Sequence, residues 1–148
     1  MPRSGDLPAG IRPATPHDEH AITAVDAIAS AGDRERMRRL QEAIAAGECI
    51  VYERDGRVLG FAIVRRTHFY GRDFIDLLVV ASDARRQGLG RSLMRASTST
   101  ATTSRVFTST NKTNTAMQAL LQSEGWSPSG ELVGLDEGDP ELVYYQSR

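Results

Sequence analysis

The sequence predicts a mixed α/β fold, and three observations carry that expectation. An apolar run, Leu77 to Ala81, passes through a polar turn, Ser82 to Gln87, into two glycines, Gly88 and Gly90, at the head of a segment with helical spacing (Leu89, Leu93, Ala96). A β-branched run followed by glycines and a helical pattern reads as strand, loop and helix N-terminus. Asp55-Gly56 stands between two strand-like runs, Glu48–Arg54 and Arg57–Arg66, and that dipeptide is a strong two-residue hairpin signal. Finally, strand-like and helix-like segments interleave along all 148 residues with no internal repeat and no clear boundary. That length fits one domain with its own core. The expectation is a flexible N-terminus over 1–10 and a single domain over 11–148.

The elements follow in order. Ile11-Arg12-Pro13-Ala14 is a short edge strand, where proline is tolerated. Thr15 caps a helix with Pro16 at its first position and Asp18 in its first turn; Ile22, Val25 and Ile28 or Ala29 give its apolar face. Gly32 interrupts, and a second helix runs from Asp33 to Gly47 with Met37, Leu40 and Ile44 on one side and a basic, solvated face (Arg34, Arg36, Arg38, Arg39) on the other. After the hairpin, His68 to Gly71 lead into a central strand that begins near Asp73. The helix after Gly90 continues through the Ser/Thr-rich segment Ala96–Ser104, a weak helical composition that frays at its end. Arg105–Ser109 is a strand, Asn111–Asn114 a turn, and Met117, Leu120 and Leu121 mark a helix closed by Gly125. Glu131-Leu132-Val133 is a strand, Leu135–Pro140 an acidic loop, and Glu141–Tyr145 the last strand.

Composition narrows the function. Lys plus Arg (18) nearly balance Asp plus Glu (19), which gives no broad basic field for nucleic acid. Cys49 is the single cysteine; inside the apolar run Cys49–Tyr52 it reads as a small buried hydrophobe. No stretch is apolar enough to span a membrane and the N-terminus has no apolar signal core, so the default expectation is a cytoplasmic protein without a membrane partner. No His/Cys/Asp cluster suggests a metal.

The chemistry concentrates between Leu78 and Ser92. The first amides of a helix lack intrahelical partners, and the helix dipole makes that end positive. Glycines let an anion approach the backbone, and Arg85, Arg86 and Arg91 add charge, so the segment predicts a phosphate or pyrophosphate pocket. It is not a Walker loop, because no Gly-Lys-Ser/Thr follows, and it is a poor dinucleotide fingerprint, because Leu93 stands at the third glycine position. Arg85-Arg86-Gln87-Gly88-Leu89-Gly90 instead resembles the acyl-CoA motif Gln/Arg-x-x-Gly-x-Gly/Ala of the GCN5-related N-acetyltransferases. The preceding Leu-Val-Val strand and the downstream Asn114 and Gly125-Trp126 strengthen it, and the order of elements extends the resemblance from Ile11 to Tyr145.

The resemblance implies a largely antiparallel sheet flanked by helices, in which the central strand and the next splay apart to admit acetyl-CoA. It implies that the backbone of Arg86, Gln87, Gly88, Leu89, Gly90, Arg91 and Ser92 holds the pyrophosphate, with Arg85 touching phosphate or bracing the loop. It places Leu78, Val79 and Val80 along the pantetheine arm, with one free N–H near Val79 at the thioester oxygen, and Asn114 at the cofactor arm as well as at a helix N-cap. Many members carry a tyrosine acid four residues before the Gly-aromatic pair; here that position is Leu121, so Tyr144, Tyr145 or solvent supplies the proton. Asp76, alone among apolar strand residues, is the first candidate for the base, because burial raises a carboxylate's pKa; strict alternation puts it on the face of Phe74 and Leu78, opposite Leu77 and Val79. His68 and Glu48 follow it. Asp136, Glu137, Asp139 and Glu141 are either solvated or a rim attracting a cationic amine, and Phe69, Tyr70 and the first two helices wall the acceptor site by analogy. The implied reaction is direct transfer of acetyl to a primary amine of a small molecule or peptide. Members of that family often pair as homodimers. Two alternatives stand beside it, a degenerate acyl-CoA sensor and a nucleotide-binding regulator.

Overall fold

The computed structural model describes residues 7–148. Seven strands form one sheet in the order β1 (Ile11–Pro13), β2 (Cys49–Arg54), β3 (Arg57–Phe69), β4 (Arg72–Val80), β5 (Arg105–Asn111), β7 (Glu141–Ser147), β6 (Ser127–Leu132). Every pairing is antiparallel except β4 with β5. Helices α1 (Glu19–Val25), α2 (Ala27–Ser30) and α3 (Arg34–Ala45) cover one face, and α4 (Leu89–Ser99) and α5 (Thr115–Ser123) the other. Period two distributes the strand residues accordingly: Val51, Phe61 and Ile63 pack with Ile22, Leu40 and Ile44, whereas Val64, Ile75 and Val106 pack with Met94 and Leu121. Among the described residues no helix is long and apolar enough to cross a membrane.

Several expectations shift at their boundaries, each for a local reason. Of the N-terminus expected to be flexible, Met1–Asp6 lie outside the described residues, but Pro8 and Gly10 are fastened: Ile11 N donates to Pro8 O at 3.0 Å and Glu53 N to Gly10 O at 2.7 Å. The first helix is cut at Asp26, whose buried carboxylate accepts from Ile28 N (3.0 Å) and from Arg36 (2.8 Å), restarting the chain as α2. Arg36 is therefore not merely solvated. The helix α4 stops at Ser99 rather than near Ser104. Its last hydroxyls bond back to carbonyls of the preceding turn, and Asp73 captures the next residues through Thr102 N (2.6 Å) and Thr102 Oγ1 (3.0 Å). Strand β3 runs on to Phe69, and β6 starts at Ser127 rather than Glu131.

Candidate active site

The sheet opens where β4 meets β5. The two strands pair only over Asp73–Ile75 and Val106–Thr108, closed at the end by Thr108 Oγ1 donating to Ile75 O at 2.9 Å. β5 pairs with β7 along its whole length but has no β4 partner beyond Thr108, and the end of β4 past Asp76 keeps only its β3 neighbour. A bulge prepares the opening: Val64 pairs with Ile75 and Ile63 with Leu77, leaving Asp76 as the extra residue. The bulge reverses the alternation. Ile75 and Leu78 face α4 and α5, whereas Leu77 and Val79 face α1 and α3. Ala81 N donates to Leu59 O at 2.8 Å, and counting back along an antiparallel ladder turns the N–H and C=O of Val79 and Leu77 toward β3 and those of Leu78 and Val80 into the gap. The free amides therefore flank Val79 instead of belonging to it. Gly60 lets the strands come this close: a Cβ there would sit 2.9 Å from Val79 O and 3.0 Å from Leu93 Cδ1.

Beside the gap the chain forms an anion cradle. Among the described residues, the amides from Arg85 through Arg91 donate no hydrogen bond within the chain; the first to do so is Ser92 N, to Gly88 O at 3.1 Å. Arg86 (φ +63°) and Gly88 (φ +80°) adopt left-handed backbone, which turns successive N–H groups toward a common side just ahead of α4. A groove of about 540 Å³ joins this cradle to the gap. Its lining includes Leu78, Val79 and Val80 of β4, Arg85, Arg86, Gly88, Leu89 and Gly90 of the cradle, and Asn114 at the head of α5. Asn114 also caps α5, accepting from Met117 N at 3.2 Å.

Two residues expected at the cofactor have their side chains elsewhere: Gln87 Oε1 accepts from Arg54 at 3.0 Å, and Arg91 pairs with Glu124 at 3.0 Å. Of the backbone expected to hold the pyrophosphate, the Ser92 amide is already bonded to Gly88 O. The far wall of the groove comes from Ala116, Met117 and Leu120 of α5. Their apolar spacing reads from sequence as ordinary core, and nothing in it marks a ligand wall.

The acid–base expectations change most. Asp76 is not a lone buried carboxylate: it shares the α3 side with Phe74 and Leu77, and it pairs with Arg39 (2.9 Å) and Arg65 (3.5 Å). Strict alternation fails because the bulge falls on Asp76 itself. Glu48 accepts from Arg66 N at 2.6 Å and pairs with Arg65 at 3.4 Å, and His68 is exposed on the outer part of β3. Tyr144 is buried with Leu121 and Trp126 under α5, and Tyr145 lies on the opposite face with Phe107 at 5.7 Å; neither lines the groove. Leu121 is fully buried, so its position offers no proton. The acidic loop is braced rather than free, since Asp136 accepts from Asn111 (2.9 Å) and Asp139 from Thr113 Oγ1 (2.6 Å). Glu141 is held differently. It lies on the α3 side of β7, accepts from Ser109 Oγ at 2.8 Å, and has no cationic partner among the described residues. Ser109 is the residue immediately after the last β5 partner of β4, and Glu141 lies on β7, the next strand beyond β5.

Buried charge away from the groove is structural. Asp73, fully buried, holds the β3–β4 end against the loop before β5. Burial pushes its pKa up, but hydrogen bonds from Thr102, Thr67 and Arg66 outweigh it and leave the carboxyl below its ordinary range. Burial also raises the Cys49 thiol to about 12, which makes it unreactive.

An opened parallel strand pair beside unpaired helix-start amides defines an acyl-transfer fold. The family model described as Acetyltransferase (GNAT) family matches residues 19–126, and the chain belongs to that family. Among solved structures, a GNAT-family acetyltransferase from Bacillus cereus is 31% identical, with 93% of this chain and 96% of that one covered and a TM-score of 0.86. A ribosomal-protein-alanine N-acetyltransferase from Brucella melitensis is 25% identical (93% and 99% covered, TM-score 0.70). A Salmonella typhimurium protein solved with its cofactor acetyl-CoA is 19% identical (93% and 92% covered, TM-score 0.70) and shares the fold. No match was found among the curated proteins.

Proposed function

We propose that residues 11–148 act as one N-acetyltransferase domain that moves an acetyl group from acetyl-CoA to a primary amine in a ternary complex. The observation that carries this reading is the row of unbonded amides from Arg85 to Arg91 opening directly onto the gap between β4 and β5. The pyrophosphate sits on those amides, and the pantetheine arm runs between β4 and α5 to the gap. There the Leu78 or Val80 N–H meets the thioester oxygen as it gains charge. The acetyl-CoA in the Salmonella neighbour supports the choice of cofactor.

The amine enters from the α3 side. Its nitrogen attacks the thioester carbonyl carbon, the C–S bond breaks, and CoA leaves as thiolate. A thiol ionises near pH 8.5, so the thiolate takes its proton from solvent without help from position 121. An alkyl amine is mostly protonated at neutral pH and must lose a proton before attack. Asp76, neutralised by two arginines, is replaced in this role by Glu141, steadied by Ser109. Holding both reactants at the gap supplies much of the rate.

The test is free-thiol release from acetyl-CoA over a panel of amines, beside thermal shifts with CoA, ATP and NAD. Stabilisation by CoA with turnover of at least one amine is expected. Stabilisation by ATP or NAD and not by CoA overturns the reading in favour of a nucleotide binder. The apolar Leu121 favours one second reading, an acyl-CoA sensor, which predicts tight CoA binding with no thiol release on any amine.

A further inference from the structure

The α3-side face of the sheet carries an aromatic trough outside the cofactor groove. Phe69 packs on Tyr70 (5.0 Å between centroids, nearly perpendicular), on Phe74 (5.0 Å) and on Phe107 (5.2 Å), and Phe107 packs on Tyr145 (5.7 Å). Helices α1–α3 cover the β2–β4 half of this face, and the cluster they form there includes no residue of β5 or β7. Phe74 and Phe107 are direct partners one step below Ile75 and Thr108, so the trough begins where the gap ends.

Its far end is a cavity of about 420 Å³ walled by Phe69, Tyr70, Phe107, Arg72 and Arg105. Other arginines of this face have carboxylate partners: Arg36 with Asp26, Arg39 with Asp76, Arg65 with Glu48. Among the described residues Arg72 and Arg105 have none. Arg72 donates to Tyr70 O at 2.7 Å, and Arg105 lies over the Tyr145 ring at 5.0 Å.

Tyr70 itself argues for a ligand. It is 85% exposed and, with Gly71, forms the β3–β4 turn at positive φ (+50° and +76°). That turn geometry favours Asn-Gly, and a bulky side chain there costs stability. A residue that is both strained and largely exposed adds little to folding, which points to use elsewhere.

We propose that this trough, given the acyl-transfer reading above, is the acceptor site, and that the acceptor is an amine bearing an aromatic group and, farther out, a carboxylate. The amine lies at the gap, the ring in the cavity against Phe107 and Tyr70, and the acid between Arg72 and Arg105. Thr108 to Arg105 is three strand steps, so amine and acid are separated by about 10 Å, the span of a tripeptide.

The test compares Gly-Phe-Gly acid, its C-terminal amide and Gly-Ser-Gly acid in the thiol-release assay. The acid form of the Phe peptide is expected to exceed each of the others in kcat/KM by about tenfold or more, the scale of one hydrogen bond to a charged group. Tyr70→Asn relaxes the turn, so the variant melts no lower than the wild type yet loses the preference for Phe over Ser. Arg105→Gln loses the preference for acid over amide, and KM for acetyl-CoA stays put in both. Equal use of all three peptides, or preferences that survive both variants, overturns the trough and leaves acyl transfer standing. If no peptide turns over, calorimetry on the CoA-loaded protein decides. Acid-dependent binding of Gly-Phe-Gly keeps the trough and overturns acyl transfer, and no binding overturns the trough. A wild-type dimer that Tyr70→Asn makes monomeric, with peptide preference unchanged, assigns the face to a second copy and overturns the proposal.

Discussion

Substitutions at Gly90 separate cofactor binding from stability. Gly90 lies in the first turn of α4, and a Cβ there would meet Leu120 Cδ2 and Leu78 Cδ2 at 3.7 Å and Val80 Cγ2 at 3.9 Å. These are ordinary contacts, so the empty protein accepts the methyl group. Alanine also loses less backbone entropy on folding and gains about 0.5–1 kcal/mol in a helix. For a chain of this size that raises Tm by about 1–4 °C. All three contacts line the groove, but the motif takes glycine or alanine at this place, so a single methyl leaves CoA binding intact while a branched side chain does not. Gly90→Val overfills the groove at about 1–3 kcal/mol, which weakens CoA binding by about 5- to 150-fold. Differential scanning fluorimetry without ligand and calorimetric titration with CoA measure the two effects. A Gly90→Val protein that folds and binds CoA as tightly as the wild type would refute the placement of CoA in this groove.

Gly60→Ala pushes a methyl group to 2.9 Å from the Val79 carbonyl oxygen, which cannot yield, so a loss of about 1–3 kcal/mol and several degrees of Tm is expected in a circular-dichroism melt. Asp18 is held down to about 2, chiefly by its hydrogen bonds from Arg12 against the opposing effect of burial. A depressed carboxylate stabilises the fold above its unfolded pKa and loses that stabilisation as pH falls toward its folded one. Asp18→Asn is therefore expected to cost about 2 kcal/mol at pH 7 and little at pH 2 in urea melts; an equal cost at both values contradicts the ion-pair account. Glu141→Gln is expected to lower kcat about a hundredfold with KM for acetyl-CoA unchanged, whereas Asp76→Asn changes kcat only a few-fold; the reverse pattern restores Asp76 as the base.

What was legible in the sequence and what was not divides by range. The Asp55-Gly56 turn, the cap at Thr15, the helix start at Asp33 and the strand–loop–helix of Leu77–Leu93 are local, and each forms as its own residues dictate. The cradle was legible for the same reason, because unpaired amides at a helix start need only the glycines that expose them. Asp76 was misread because its partners arrive from α3 and from β3, and a lone charge in an apolar run does not reveal them. Asp73 marked only where the central strand begins, yet it gathers donors from Arg66, Thr67 and Thr102 across two loops. The aromatic trough draws its rings from four strands and the β3–β4 turn, so no window of the chain contains it.

The error over Asp76 and the opening of the sheet have one origin. Period two holds only while each residue has a partner, and one extra residue between Ile75 and Leu77 breaks it. Without the bulge, the ladder direction set at Ala81 would leave Ile75 facing β3, and its carbonyl would be out of reach of Thr108. With it, Ile75 closes the base of the gap while Leu78 and Val80 present their amides above. The insertion that defeats a sequence-level assignment of faces is thus what lets one strand pair with β5 below and present free backbone groups above.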